Sequence, residues 1–383
     1  MLALFRFWSV IHYFYPYLSL MGGAWDDALA ELMPRFESAT DETAYATAVS
    51  NLAARIPDGH VRTWGTKTLS RIRPSAGPAF EVQAVEGQIA VTALFDSAVA
   101  QAAGIAIGDV IRSVDGEPIA DRMARLGTNV AASNGPSHSF FTGRAALAGD
   151  PGSEAVLSVQ GVDGAIREVK APRNVRTKAP QRSGPIYRLL DDSIGYVDLD
   201  RLEVADIEPM FAAFEKTKAI VFDMRGYPHE TMWALTARLN TRGVQGGPQF
   251  FRPLVTDGPG ASYFFRQELP LDAKPLYRGQ TVMLVDERTM SQAEHTGLFF
   301  EAANGTKLVG SQTAGANGDV TNLSLPGGMY VSFTGQDVRH ADGRQLQRIG
   351  LVPDIDAHPT LAGLRAGRDE VLERAVTYLR TGQ

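Results

Sequence analysis

The chain has no cysteine among its 383 residues. That absence excludes disulfides, thiolate metal sites and a cysteine nucleophile together. Positive charge is also in short supply. Lys and Arg number 37 against 43 Asp and Glu, a net charge of -6, which leaves no basic stripe to follow a phosphate backbone. Nucleic-acid binding is therefore disfavoured. Long uncharged apolar runs are missing too. The most apolar stretch, residues 1–20, is interrupted by Arg6 and His12, broken by Pro16, and followed by no small-residue cleavage site. It reads as an amphipathic core helix over Leu2–Phe14, not as a membrane span or a signal peptide. No internal repeat or low-complexity segment occurs, and no His/Asp/Glu spacing suits a metal. Neither a metal nor a cofactor is expected.

What is present fits a globular protein, with 44% hydrophobic and 21% charged residues. The length exceeds one ordinary core, so two or three domains are expected. The first 70 residues read as helical. Trp8, Ile11 and Tyr15 recur at helical spacing, as do Trp25, Leu29, Leu32 and Met33. A third helix is expected over residues 41–55, with Thr40 and Thr43 offering capping oxygens, before the turn Pro57-Asp58-Gly59-His60. A Pro/Gly/Ser stretch at 73–78 marks a boundary. Short β runs follow at 80–85, 88–93, 109–114 and 155–159. A second boundary, rich in Pro, Arg and Lys, spans 172–185. Beyond it strands (194–200, 219–224, 281–286, 307–310) alternate with helices (204–216, 230–240, 291–303), a βαβ layout with right-handed crossovers. Two β runs, 321–325 and 329–333, and one closing helix over 361–379 complete the reading.

Within the β region, Ala98-Val99-Ala100-Gln101-Ala102-Ala103-Gly104 ends a short helix. Gly108-Asp109 makes a tight turn, and Asp115-Gly116 is a hairpin signal. These twenty or so residues resemble the PDZ domains of bacterial proteases, against the alternative of an unrelated small β domain. Such a domain implies binding of an extended peptide by strand addition. Gly77-Pro78-Ala79-Phe80 would be its carboxylate loop or a plain interdomain turn. Gly77 and Phe80 are thus candidate substrate contacts.

In the last third, the apolar strand Val282-Met283-Leu284-Val285 leads through Asp286–Met290 to Ser291, and a helix follows at once. A serine there projects its hydroxyl from a sharp turn, with the next amides and the helix dipole aimed at whatever it attacks. Local sequence alone fits better an N-cap serine completed by Glu294 in a capping box, since such boxes are common.

Five further segments resemble, in order, the motifs of carboxyl-terminal processing (tail-specific) and tricorn-type serine peptidases. They are Gly195-Tyr196-Val197-Asp198-Leu199, Phe222-Asp223-Met224-Arg225-Gly226-Tyr227-Pro228, Thr289-Met290-Ser291-Gln292-Ala293-Glu294, Gly310-Ser311-Gln312-Thr313-Ala314-Gly315 and Gly350-Leu351-Val352-Pro353-Asp354. The resemblance implies a multidomain α/β protein. Its parts would be an N-terminal helical domain (1–72), a PDZ-like domain (77–172) and a ClpP/crotonase-like spiral catalytic domain (185–383). It implies peptide-bond hydrolysis through an acyl-enzyme on Ser291, a polypeptide partner and a place outside the cytoplasm. The lysine base of the processing proteases is missing, because Ala316 stands at its position. Lys307 precedes its strand and reads as a surface residue. In the tricorn-type branch a histidine serves instead, and Asp58-Gly59-His60 fits that motif, which makes His60 the expected general base.

The acid that would orient His60 aligns with Gln336, with Asp337 beside it, and the two are equal candidates. For the oxyanion hole the resemblance implies the amide of Gln292 and a second donor from Gly226, Tyr227 or His229, since Pro228 has no N–H and the family's double glycine is absent. His229, Thr313 and Gly315 are further candidate substrate contacts. His295, four residues past Ser291, could share its helix face but reads as a core or surface histidine. His12, His138, His340 and His358 have no partner pattern. The alternatives are an inactive relative that binds peptides or apolar ligands, a PDZ scaffold, and an acyl-CoA enzyme. Ser291, His60 and the Arg225-Gly226 loop together argue against the first, a catalytic-like domain of about 200 residues has no purpose in the second, and the Ser291 motif has no role in the third.

Overall fold

The structure, a computed structural model, describes residues 1–174, 182–191, 193–254, 261–271 and 275–383. Residues 175–181, half of the expected 172–185 boundary, therefore lie outside the described residues. Contacts divide the chain into two compact units. The first comprises Met1–Pro180, Val320–Phe333 and Pro359–Asp369. The second comprises Gln181–Asp319, Thr334–His358 and Glu370–Gln383. This division moves residues 320–333 and 359–369 out of the expected 185–383 segment.

In the first unit, helices Leu2–Phe14, Ala24–Glu37 and Glu42–Ala53 bury one stripe each. The first stripe runs through Leu4, Phe7 and Ile11; of the expected Trp8, Ile11 and Tyr15, the last two are buried in the same core and Trp8 packs against it half-buried. Each such side chain stabilises by roughly 1.5–3 kcal/mol when fully buried. The indoles of Trp8 and Trp25 each donate to the other residue's carbonyl, at 3.2 and 3.1 Å, so neither N–H is lost to burial. Asp41, not Thr40 or Thr43, caps the third helix, accepting from the Ala44 amide at 2.8 Å.

The hairpin of Val320–Leu325 and Met329–Thr334 closes over this helical core. Leu323, Leu325, Met329, Val331 and Phe333 join its apolar cluster, and strand Arg62–Trp64 pairs with Tyr330, Val331 and Ser332. The hairpin belongs here because its apolar residues alternate toward this core.

The same unit holds a second core under the sheet ordered Phe80–Val85, Gln88–Leu94, Val110–Val114, Glu154–Gln160, Ile166–Pro172. Asp115 and Gly116 both take positive φ (53° and 81°) and turn Val110–Val114 back onto Glu117–Pro118, as the Asp-Gly pair predicts. Helices Ile119–Gly127 and Gly135–Leu147 pack on it. Their short, mixed patterns gave no clear period in the sequence.

In the second unit, strands Ile355–Asp356, Lys307–Gly310, Gln280–Val285, Ala219–Asp223 and Ile194–Asp198 run parallel, with Tyr187–Asp191 antiparallel at the edge. Alternation divides their side chains between two faces. Val197, Ile220, Phe222, Met283 and Val285 meet helices Ile207–Ala213, Met232–Leu239 and Gln292–Asn304. Tyr196, Val221, Val282, Leu284 and Val309 meet Val371 and Ala375 of helix Glu370–Thr381. Burial on both faces explains why these strands read as unbroken apolar runs. The expected closing helix is two, Leu361–Arg365 and Glu370–Thr381, broken at Gly367 (φ 67°) and divided between the units. A smaller sheet, Ser262–Glu268, Gly246–Pro253 and Asp337–Arg339, was not anticipated, because 241–280 gave no clean period.

Candidate active site

Ser291 lies in the second unit, between strand Gln280–Val285 and helix Gln292–Asn304. Its backbone takes φ 59°, ψ -122°, a conformation costly for a residue with a side chain. The turn before it holds that strain. Thr289 Oγ donates to the Met224 carbonyl at 3.0 Å and accepts from the Asp286 amide at 3.2 Å. The Thr289 carbonyl takes the Ala314 amide at 3.0 Å, and the Ser291 amide donates to the Ala316 carbonyl at 2.8 Å. Ser291 occupies the N-cap position, yet its hydroxyl makes no capping hydrogen bond. Of the capping box only the Glu294 half is present, its carboxylate taking the Ser291 amide; the serine half is missing, because a capping side chain needs extended φ/ψ at that position. Gln292 opens the helix, where amides have no intrahelical acceptor.

Glu294 is fully buried on the first turn of the same helix. Its carboxylate accepts from Thr313 Oγ, from the Gly315 amide at 2.7 Å and from the Ala316 amide at 3.0 Å. Burial pushes its pKa up to about 7, against the lowering effect of those donors. Thr313 Oγ also takes the Leu351 amide at 2.7 Å. Thr313 is fully buried and the Gly315 amide is already engaged, so both build the loop beside Ser291 and do not line a substrate surface. That corrects their reading as substrate contacts. Gly315 (φ 71°) and Gly350 (φ 76°) lie too close for side chains: a Cβ on Gly350 would fall 2.6 Å from Thr313 Oγ. The two glycine motifs are thus two halves of one contact.

His295 donates or accepts at both ring nitrogens, to Gln267 Oε1 (2.6 Å, Nε2) and Asn317 Nδ2 (3.2 Å, Nδ1). Asn317 Oδ1 takes the Gly318 amide at 2.8 Å, so its amide group donates to the ring and places the ring proton on Nε2. Burial lowers the His295 pKa to about 4. It is a neutral, structural histidine. Lys307 is exposed and ion-paired with Asp354 at 2.6 Å, which raises its pKa, consistent with its reading as a surface residue.

The loop after strand Ala219–Asp223 carries the remaining oxyanion candidates. The Tyr227 amide is donated to Asp200 Oδ1 at 2.7 Å, which removes it from the set. Gly226 and His229 remain. A Cβ on Gly226 would meet the Asp200 side chain at 2.7 Å, which accounts for the glycine. His229 is exposed, with Nε2 2.9 Å from the Asp200 carbonyl. Beneath the loop, buried Asp198 and Asp223 are neutralised by Arg182, Arg201 and Arg225. Burial alone would raise the Asp223 pKa, but Arg225 and Arg182 hold it well below the carboxylate range.

Gln336 Nε2 donates to Asp319 Oδ2 at 2.8 Å, while Asp337 pairs with Arg339 at 2.6 Å. His60 belongs to the first unit, in the turn 57–61, and is buried. Its amide donates to Asp58 Oδ1 at 2.9 Å, its carbonyl accepts from Ser332 Oγ at 2.7 Å, and Ser133 Oγ takes the Gly59 amide at 2.8 Å. Desolvation lowers its pKa; Asp58, with Oδ1 3.9 Å from Nδ1, opposes this and Arg62 adds to it. Gly77 and Phe80 of the same unit line a cavity beside helix Gly135–Leu147. The supports at Ser133, Ser332, Asp200, Asp319 and Asn317 were not legible in the sequence, because each lies in a segment with no motif of its own.

Residues 193–357 match Peptidase family S41. A search of the curated proteins found no match to the sequence. Among solved structures, mature CPAF in complex with lactacystin has a TM-score of 0.75 at 16% identity, covering 99% of this chain and 98% of its own. The photosystem II D1 C-terminal processing protease has a TM-score of 0.53 at 18% identity, with 97% of each chain covered. At these identities the two share the fold. Among the described residues no group of three or more His, Asp or Glu is placed to hold a metal, and no helix is long and apolar enough to cross a membrane.

Proposed function

Because the chain carries a Peptidase family S41 domain and is a serine peptidase, we propose that it is an endopeptidase working through an acyl-enzyme on Ser291, with His60 as general base. The observation that carries this is the Ser291 turn: a strained positive-φ serine at a helix start, whose hydroxyl is not spent on capping. Ser291 Oγ attacks the scissile carbonyl carbon as its proton passes to His60 Nε2. The oxyanion is met by the amides of Gln292 and of Gly226 or His229. The imidazolium then returns the proton to the leaving amine, and water, deprotonated by His60, releases the acyl group.

Gln336 and Asp337 both stand as candidates for orienting His60: Asp337 is ion-paired with Arg339, and Gln336 donates its amide N–H to Asp319. The alternating parallel strands and helices of the second unit support a ClpP/crotonase-like spiral. The six-stranded sheet with positive-φ Gly104 and Gly108 supports a PDZ-like segment at 77–172. In that segment Gly77 and Phe80 would contact an extended peptide, and His229 would do so near Ser291. Cleavage of casein tests the proposal. Ser291→Ala is expected to abolish turnover with the melting temperature almost unchanged, and full activity in that variant would overturn it.

A further inference from the structure

A cavity of about 390 Å³ opens in the first unit, lined by Phe80 and Glu81 at the start of strand Phe80–Val85 and by Phe141 and Arg144 of helix Gly135–Leu147. Arg62 and Arg73 complete its wall. Three guanidinium groups thus face one carboxylate. Glu81 pairs with Arg144 loosely, at 3.6 Å, and Arg144 also lies over the Phe140 ring. Arg62 spends two donors on the carbonyls of Gly59 and Val61 and stacks over Phe141. Arg73 donates to Thr63 Oγ at 3.1 Å, and among the described residues no carboxylate pairs with it. Burial lowers its pKa, the mark of a cation removed from water with its charge uncompensated. A half-buried, unpaired guanidinium is costly unless something else brings the negative charge.

Among the described residues strand Phe80–Val85 lies at the end of its sheet, paired with Gln88–Leu94. An extended chain added to that edge would place alternate side chains toward the cavity mouth. We infer that this cavity is a carboxylate-selective pocket for a bound peptide, with Arg73 and Arg144 taking an acidic side chain of a strand-added segment. The inference rests on the reading of the chain as a peptidase and names a class of substrate for it, segments bearing Asp or Glu. A guanidinium fork pairs with a carboxylate through two parallel N–H donors, which the isosteric amide of Gln cannot match. The apolar floor at Phe80 and Phe141 excludes water from that pair and strengthens it.

The test uses the full chain as Ser291→Ala, so that no probe is cut. The probes are fluorescein-labelled, carboxy-amidated octapeptides of Ala and Val carrying one Glu, walked through the positions, each against its Gln counterpart. Anisotropy should show one register at which Glu binds about tenfold tighter than Gln, with the gap narrowing as salt rises. Arg73→Gln and Arg144→Gln should each close the gap. Should a Gln peptide with a free terminus gain the same factor, the pocket takes a terminal carboxylate as well as a side chain; gain with Glu alone assigns it to side chains. Equal affinities for Glu and Gln at every register and with both kinds of terminus would overturn the inference. So would a gap that survives both substitutions. If neither variant folds, the Glu/Gln comparison on the intact pocket still decides. The readout needs no turnover, so a failure here leaves Ser291 chemistry standing, and a failure of Ser291 chemistry leaves this result readable.

Discussion

At the scale of single residues, the account turns on which group takes the serine proton. Ala316 removes the lysine of the processing proteases, His295 has both nitrogens engaged, and Lys307 is exposed and paired. His60 is the base proposed here; it would act only when neutral, and burial lowers its pKa from the usual 6.5. So kcat/KM should fall as pH drops through a pKa below 6.5, and stay flat above it until another group titrates. A limb set by His295 would lie near 4 and one set by Lys307 far above 7. His60→Ala should lower kcat by a factor on the order of 10³ or more, with a residue of activity left by the oxyanion hole. Near wild-type turnover in His60→Ala, or an acid limb above pH 7, would contradict the assignment. Ser291, His60 and the motif glycines could be singled out as candidates because each is a particular residue type at a fixed spacing. The Tyr227 amide and the Thr313 hydroxyl were not legible, because a sequence does not say which acceptor, here Asp200 and Glu294, reaches a donor first.

At the scale of elements, the helix Gln292–Asn304 and the loop 311–317 act as one piece through Glu294. Its folded pKa of about 7 stands above the ordinary 4.5 of an unfolded chain. Between those values the folded state holds more protons than the unfolded one. The stability Glu294 contributes is therefore fully present below about pH 4.5 and is lost as pH rises through 7, by an amount on the order of 3 kcal/mol. Glu294→Gln removes that dependence. Denaturant melts of both proteins from pH 4.5 to 8 should show the wild type losing stability relative to the variant as pH rises; parallel curves would contradict the clamp. Strand and helix positions in 194–310 were readable from apolar runs buried on both sheet faces. The break at Gly367 was not, since residues 361–379 keep helical composition on both sides of it. The hairpin strands Gly246–Pro253 and Ser262–Glu268 escaped because Gly246, Gly247 and Pro248 blur their period.

At the scale of the whole molecule, sequence order misleads about membership. The run 320–333 follows the nucleophile motif, yet it completes the N-terminal helical core, with Tyr45 Oη donating to the Pro326 carbonyl at 2.7 Å. Alternation in the strands announced a buried face but not which core would cover it. What the chain as a whole does rests on one hydroxyl. The most direct measurement is labelling of the intact protein with a fluorophosphonate, followed by peptide mapping of the adduct. The account predicts a single modified residue, Ser291, with labelling lost in Ser291→Ala. Modification at another residue, or none in folded protein, would contradict it.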